Sequence, residues 1–95
     1  MVDQVEPTVI LNGQTVVAVA GTQVTLGLGT SIRSVTIKAN ATNTQNIYVG
    51  SATVSAANGF ILAPNQSISL ALSLRSTVWI DADVNGEGVS YIAVA

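Results

Sequence analysis

Along Gln66–Leu74 the chain alternates without a lapse: Ile68, Leu70, Leu72 and Leu74 fall on one parity, and Ser67, Ser69, Ala71 and Ser73 on the other. A period of two sends one set inward and leaves a small, hydroxylated set outward, which is a half-buried β-strand. A helix would scatter the four aliphatic side chains around its circumference. Pro64-Asn65 before the run and Arg75-Ser76 after it read as its ends. The rest of the chain is expected to be organised around this strand.

The same period recurs elsewhere. In Thr22–Leu28, Val24, Leu26 and Leu28 oppose Gln23, Thr25 and Gly27, and the glycines flanking Leu28 predict a bulge or bend. In Ser31–Asn40, Val35, Ile37 and Ala39 oppose Ser34, Thr36 and Lys38. Gln45–Val49 carries Ile47 and Val49 with Tyr48 opposite, and Gly50 permits a bend into Ala52–Ser55. In Thr77–Val84, Val78, Ile80, Ala82 and Val84 oppose Trp79, Asp81 and Asp83. Three Asn-Gly dipeptides punctuate these runs. Both residues accept φ > 0, so Asn-Gly between apolar runs is a strong hairpin signal. Asn12-Gly13 predicts a hairpin between Thr8–Leu11 and Gln14–Ala20. Asn58-Gly59 turns the chain into Phe60–Leu62, and Asn85-Gly86 returns it into Gly88–Val94. Residues 1–7, with Asp3, Glu6 and Pro7, read as an N-terminal arm, and residues 8–95 as one domain. About eight short strands at turn spacings of about 8–12 residues predict an all-β fold. The expected architecture is a single small antiparallel β-sandwich, jelly-roll-like or Greek key.

Composition narrows the function. Charged residues are 8% of the 95, with a net charge of −2, against about 25% charged in an average domain. Arg33, Lys38 and Arg75 are the only basic residues, too few for a nucleic-acid surface. No apolar run approaches the ~20 residues that a membrane span needs, and the acidic start lacks the features of a signal peptide. There is no Cys and no His, which removes disulfides, thiolate ligands and the commonest general base. A surface solvated by hydroxyls and amides, with little charge repulsion, suits a subunit held against a partner.

The pattern singles out few residues. Asp81-Ala82-Asp83-Val84-Asn85-Gly86 matches the opening of a calcium-binding EF-hand loop, but Ile92 stands where the closing glutamate belongs. A weak metal candidate remains in Asp81, Asp83 and Glu87, against the plainer reading of an exposed strand face ending in a turn. Hydroxyls lack a base to activate them, and no catalytic residue or cofactor is expected; the chain does not read as an enzyme. Trp79 and Tyr48 lie opposite the aliphatic face of their strands, so each should be covered, by a loop, a second subunit or a sugar ring. Val5 in the arm is a further candidate interface residue.

Several stretches together resemble small β-rich virion accessory proteins of tailed bacteriophages. They are N-I-Y-V-G at Asn46–Gly50, G-F-I-L-A-P-N-Q-S-I-S-L at Gly59–Leu70, V-W-I-D-A-D at Val78–Asp83 and G-V-S-Y-I-A-V at Gly88–Val94. The resemblance implies a capsid cement or decoration subunit, made in the host cytoplasm and placed on the capsid exterior. Its implied partner is the major capsid protein. It also implies self-association, as a trimer before a dimer, and carries no catalytic residue. The alternatives are a head-fibre or tail accessory domain that binds a receptor or glycan, and a non-viral carbohydrate-binding module.

Overall fold

The computed structural model of the chain describes residues 9–28, 32–72 and 77–95. Its elements are all strands: β1 Ile10–Val17, β2 Val24–Thr25, β3 Ser34–Ala39, β4 Ile47–Gly50, β5 Phe60–Leu62, β6 Ser67–Ala71, β7 Trp79–Ala82 and β8 Glu87–Val94. They form two four-stranded antiparallel sheets, ordered β1-β8-β3-β6 and β2-β7-β4-β5. Every connection crosses from one sheet to the other except β4 to β5, which are neighbours in one sheet, and the combined order is that of a jelly roll. The expected sandwich is the one found.

The core lies between the sheets. From the first sheet come Val17, Val35, Ile37, Ala39, Val89 and Ala93; from the second come Ile47, Val49, Leu62, Ile80 and Ala82. These are the aliphatic parities of their strands, so the period of two predicts which residues are buried in β3, β4 and β7.

Three expectations are corrected. First, Gln66–Leu74 is not the centre of the fold. Its structured part, β6, is an edge strand, and Ile68, Leu70 and Leu72 are only partly buried; Leu74 lies outside the described residues. The sheet centres are β8 and β3, and β7 and β4. A perfect alternation marks a strand with one wet face, which is what an edge position allows. Second, Asn12-Gly13 makes no turn. It sits inside β1, which pairs with β8 over all eight residues. Gly13 faces Tyr91 across the ladder, and a Cβ on it would stand 2.8 Å from the Tyr91 hydroxyl, so the glycine makes room for the ring. Third, Asn85-Gly86 turns the chain but makes no hairpin. Gly86 takes φ 84° and Glu87 N–H bonds Val84 O, yet the strands on either side belong to different sheets. The remaining dipeptide, Asn58-Gly59, ends a turn in which both N–H groups bond Ser55 O. The bend after Gly50 is a turn in which Val54 N–H bonds Ser51 O, and Ala52–Ser55 belongs to no strand. Pro64-Asn65 turns as expected: Asn65 takes φ 73° and Gln66 N–H bonds Ala63 O, the geometry of a type II turn.

Candidate functional site

Two surfaces bear on function, one on the outer side of each sheet. The outer side of the β2-β7-β4-β5 sheet holds most of the residues singled out above. Ile80 and Ala82 turn inward, which places Trp79 and Asp81 on the opposite parity. That side is partly covered. The segment after β1 and the loop after β4 fold over it, and Gln23 Nε2 donates to Ala52 O at 2.7 Å to join them.

Tyr48 is accordingly 7% exposed, against the turn that Gly59 ends; a Cβ on Gly59 would stand 2.5 Å from Tyr48 Cβ. Its hydroxyl donates to both oxygens of Asp83, at 3.0 and 2.9 Å. That hydrogen bond, then burial, then the Asp83 charge hold the phenol above its ordinary pKa. Trp79 is half-buried. Val5 lies outside the described residues.

The three carboxylates of the weak metal candidate do not converge. Asp81 is 2% exposed, and its Oδ1 accepts the N–H of Gly21 at 3.0 Å and of Ala82 at 2.8 Å. Asp83 serves Tyr48. Glu87 accepts the Thr44 hydroxyl at 2.8 Å and the N–H groups of Thr44 and Gln45 at 2.7 and 3.2 Å. Partial burial raises the Glu87 pKa, but the bonds from Thr44 and Gln45 outweigh it and hold the carboxyl below its ordinary value. Among the described residues no three His, Cys, Asp or Glu side chains group to hold a metal ion. Asp81 and Asp83 do share one feature, an open cleft of about 480 Å³ walled by Ala20, Gly21, Ser55, Ala56 and Ala57. Asp83, the exposed one of the two, can accept hydrogen bonds there from hydroxyls or amines.

Among the described residues no segment covers the outer side of the β1-β8-β3-β6 sheet. The register sets Ile10, Val94, Ser34 and Ala71 in one row, Asn12, Ile92, Thr36 and Ser69 in the next, and Gln14, Ser90, Lys38 and Ser67 in a third. Val16 lies beyond them on β1. The Thr36 and Ser69 hydroxyls bond at 2.8 Å, and a shallow groove of about 300 Å³ runs beside Ile92 and Lys38. Ile10, Val16 and Ile92 are 64, 50 and 51% exposed. Lys38 is the single charge in these rows. Sequence reasoning misses this face because the Asn12-Gly13 turn splits β1. The shared parity of Ile10, Asn12, Gln14 and Val16 is the signal that would have found it.

Comparison with known proteins returns nothing: no protein-family model matches the chain, and neither a curated protein nor a solved structure matches it.

Proposed function

We propose that the chain is a structural virion protein, a capsid cement or decoration subunit that binds the major capsid protein on the outside of an assembled phage head. The observation that carries this reading is the uncovered outer side of the β1-β8-β3-β6 sheet. It is a four-stranded face with one charge, a hydroxyl lawn and three exposed aliphatic side chains. Such a face is suited to burial against another protein surface, where standard contacts cover roughly 1,200–2,000 Å² in total. Scattered exposed aliphatics are ordinary on a monomer; three on one charge-poor sheet face support the reading of a contact surface. Jelly rolls recur in viral capsid and lectin domains. That is a fold-level analogy, so the weight rests on the face. A subunit that binds the assembled shell but not loose capsid protein stabilises the shell by mass action.

The test is co-sedimentation of the purified chain with tail-less heads built from the major capsid protein encoded nearest to it. Binding to assembled heads, lost on Ile92→Lys and accompanied by a higher disruption temperature of the heads, supports the proposal. A chain that stays in the supernatant sinks it. A second reading, a glycan- or receptor-binding accessory domain, draws on the cleft of Asp81 and Asp83. Glycan binding by the isolated chain that is lost on Asp83→Asn would favour it.

A further inference from the structure

Folded proteins keep sheet edges from pairing with other chains by short strands, charges, prolines or bulges. Three of the four edges here are short or blunted: β2 and β5 are two and three residues long, and β6 is five residues long and opens from the Pro64-Asn65 turn. The fourth is not. β1 is eight residues long, pairs with β8 in one unbroken register, and contains no proline. No charged residue stands anywhere between Glu6 and Arg33.

The direction of its free groups is fixed. Val9 and Ala95 exchange both backbone hydrogen bonds, N–H to O in each direction, at 3.3 and 2.9 Å. Antiparallel pairs alternate between bonded and non-bonded, so the odd-numbered residues of β1 face β8. The N–H and C=O groups of Ile10, Asn12, Gln14 and Val16 therefore point away from the sheet. Among the described residues no other segment bonds them.

We propose that this edge pairs with β1 of a second copy of the chain, antiparallel, about a two-fold axis through Gly13. The outward edge of β1 is self-complementary. A strand pairs with itself only when positions equidistant from its centre match. One register uses all four outward residues, and it sets Ile10 opposite the partner's Val16 and Asn12 opposite the partner's Gln14. Aliphatic meets aliphatic, amide meets amide, and no charge is present to repel its copy. Gly13 meets the partner's Gly13, where a missing side chain lets the strands close. The two sheets then run on as one, and their outer sides form a single continuous face. Strand pairing alone falls below the roughly 1,200 Å² of a standard interface, so the dimer is reversible and concentration-dependent. It replaces the threefold association expected from the resemblance with a twofold one. It does not depend on binding to a shell.

The experiment uses the purified chain without capsids. Sedimentation equilibrium from micromolar to millimolar concentration should show a mass rising from the 9.7 kDa of one chain toward twice that value and stopping there. Amide exchange at the high end should slow by about tenfold or more at Ile10, Asn12, Gln14 and Val16 relative to the low end. Asn12→Lys with Gln14→Lys sets like charges opposite one another in this register and should remain monomeric throughout. Asn12→Lys with Gln14→Glu sets opposite charges there and should restore the dimer. Both substituted positions are exposed, and circular dichroism checks that each variant is folded. The wild-type exchange data stand by themselves if a variant is not. A monomer at every concentration, a trimer, an open ladder of masses, a dimer whose four amides exchange freely, or a double-lysine variant that dimerises like wild type would each overturn the proposal.

Discussion

Single side chains here do much of their work through hydrogen bonds to loops. Asn43, 7% exposed, donates to Gly88 O at 2.8 Å and accepts Gly88 N–H at 3.2 Å, so its amide acts as one more rung beside β8. Asn43→Ala leaves that buried N–H without a partner and is expected to cost about 2 kcal/mol, read as a lower urea midpoint with an unchanged slope. Tyr48 binds its proton more tightly folded than unfolded. The folded state therefore holds more protons than the unfolded one as the pH rises past the ordinary phenol value of about 10. Stability is full below that value and falls above it. Tyr48→Phe should flatten this alkaline decline in a melting-temperature profile against pH. Glu87 has the opposite sign. Its folded carboxyl titrates below the ordinary value, so its contribution is full above that value and is lost as the pH falls through the folded one. Glu87→Gln should shrink the acid-side decline.

Strands show where local pattern decides and where it yields. In β3, Val35, Ile37 and Ala39 are 1, 0 and 0% exposed, as their parity predicts. The same rule holds for Ile47, Val49, Ile80 and Ala82 because each faces the opposing sheet. It fails for the other parity of β4 and β7. Tyr48 and Asp81 point outward yet are buried, because loops distant in sequence fold over them, and no local period records a loop's path. The cleft of Asp81 and Asp83 was unreadable for the same reason. Asn12-Gly13 fails differently: its turn preference is local, and eight paired residues plus the Tyr91 ring outweigh it. At Gly88, β8 lies close against β1. A Cβ there would stand 2.0 Å from Thr15 O and 2.8 Å from Val16 Cα, both backbone atoms that cannot swing aside. Gly88→Ala must part the two strands, a cost on the order of 3 kcal/mol or more. In a domain of this size that lowers the melting temperature by more than about 10 °C, measurable by calorimetry.

At the scale of the molecule, the two sheets divide the labour. The β2-β7-β4-β5 sheet has short strands and a side roofed by loops. The β1-β8-β3-β6 sheet has the long strands and the bare side. Stability and the proposed contact thus fall on different surfaces, so a substitution such as Ile92→Lys is expected to change stability by no more than the ±0.5 kcal/mol typical of exposed sites while removing the proposed binding to the shell. The mutual bonding of Val9 and Ala95 has a practical consequence. Residues 9 and 95 lie side by side at one end of a sheet, within a single ladder spacing. A short glycine tether can join residue 95 to residue 9, and new termini can be opened at the exposed Ala56-Ala57. Such a circular permutant should refold with the native dichroism spectrum. By the same adjacency, cargo peptides fused before residue 9 and after residue 95 would emerge as neighbours, which makes the domain a two-armed display scaffold.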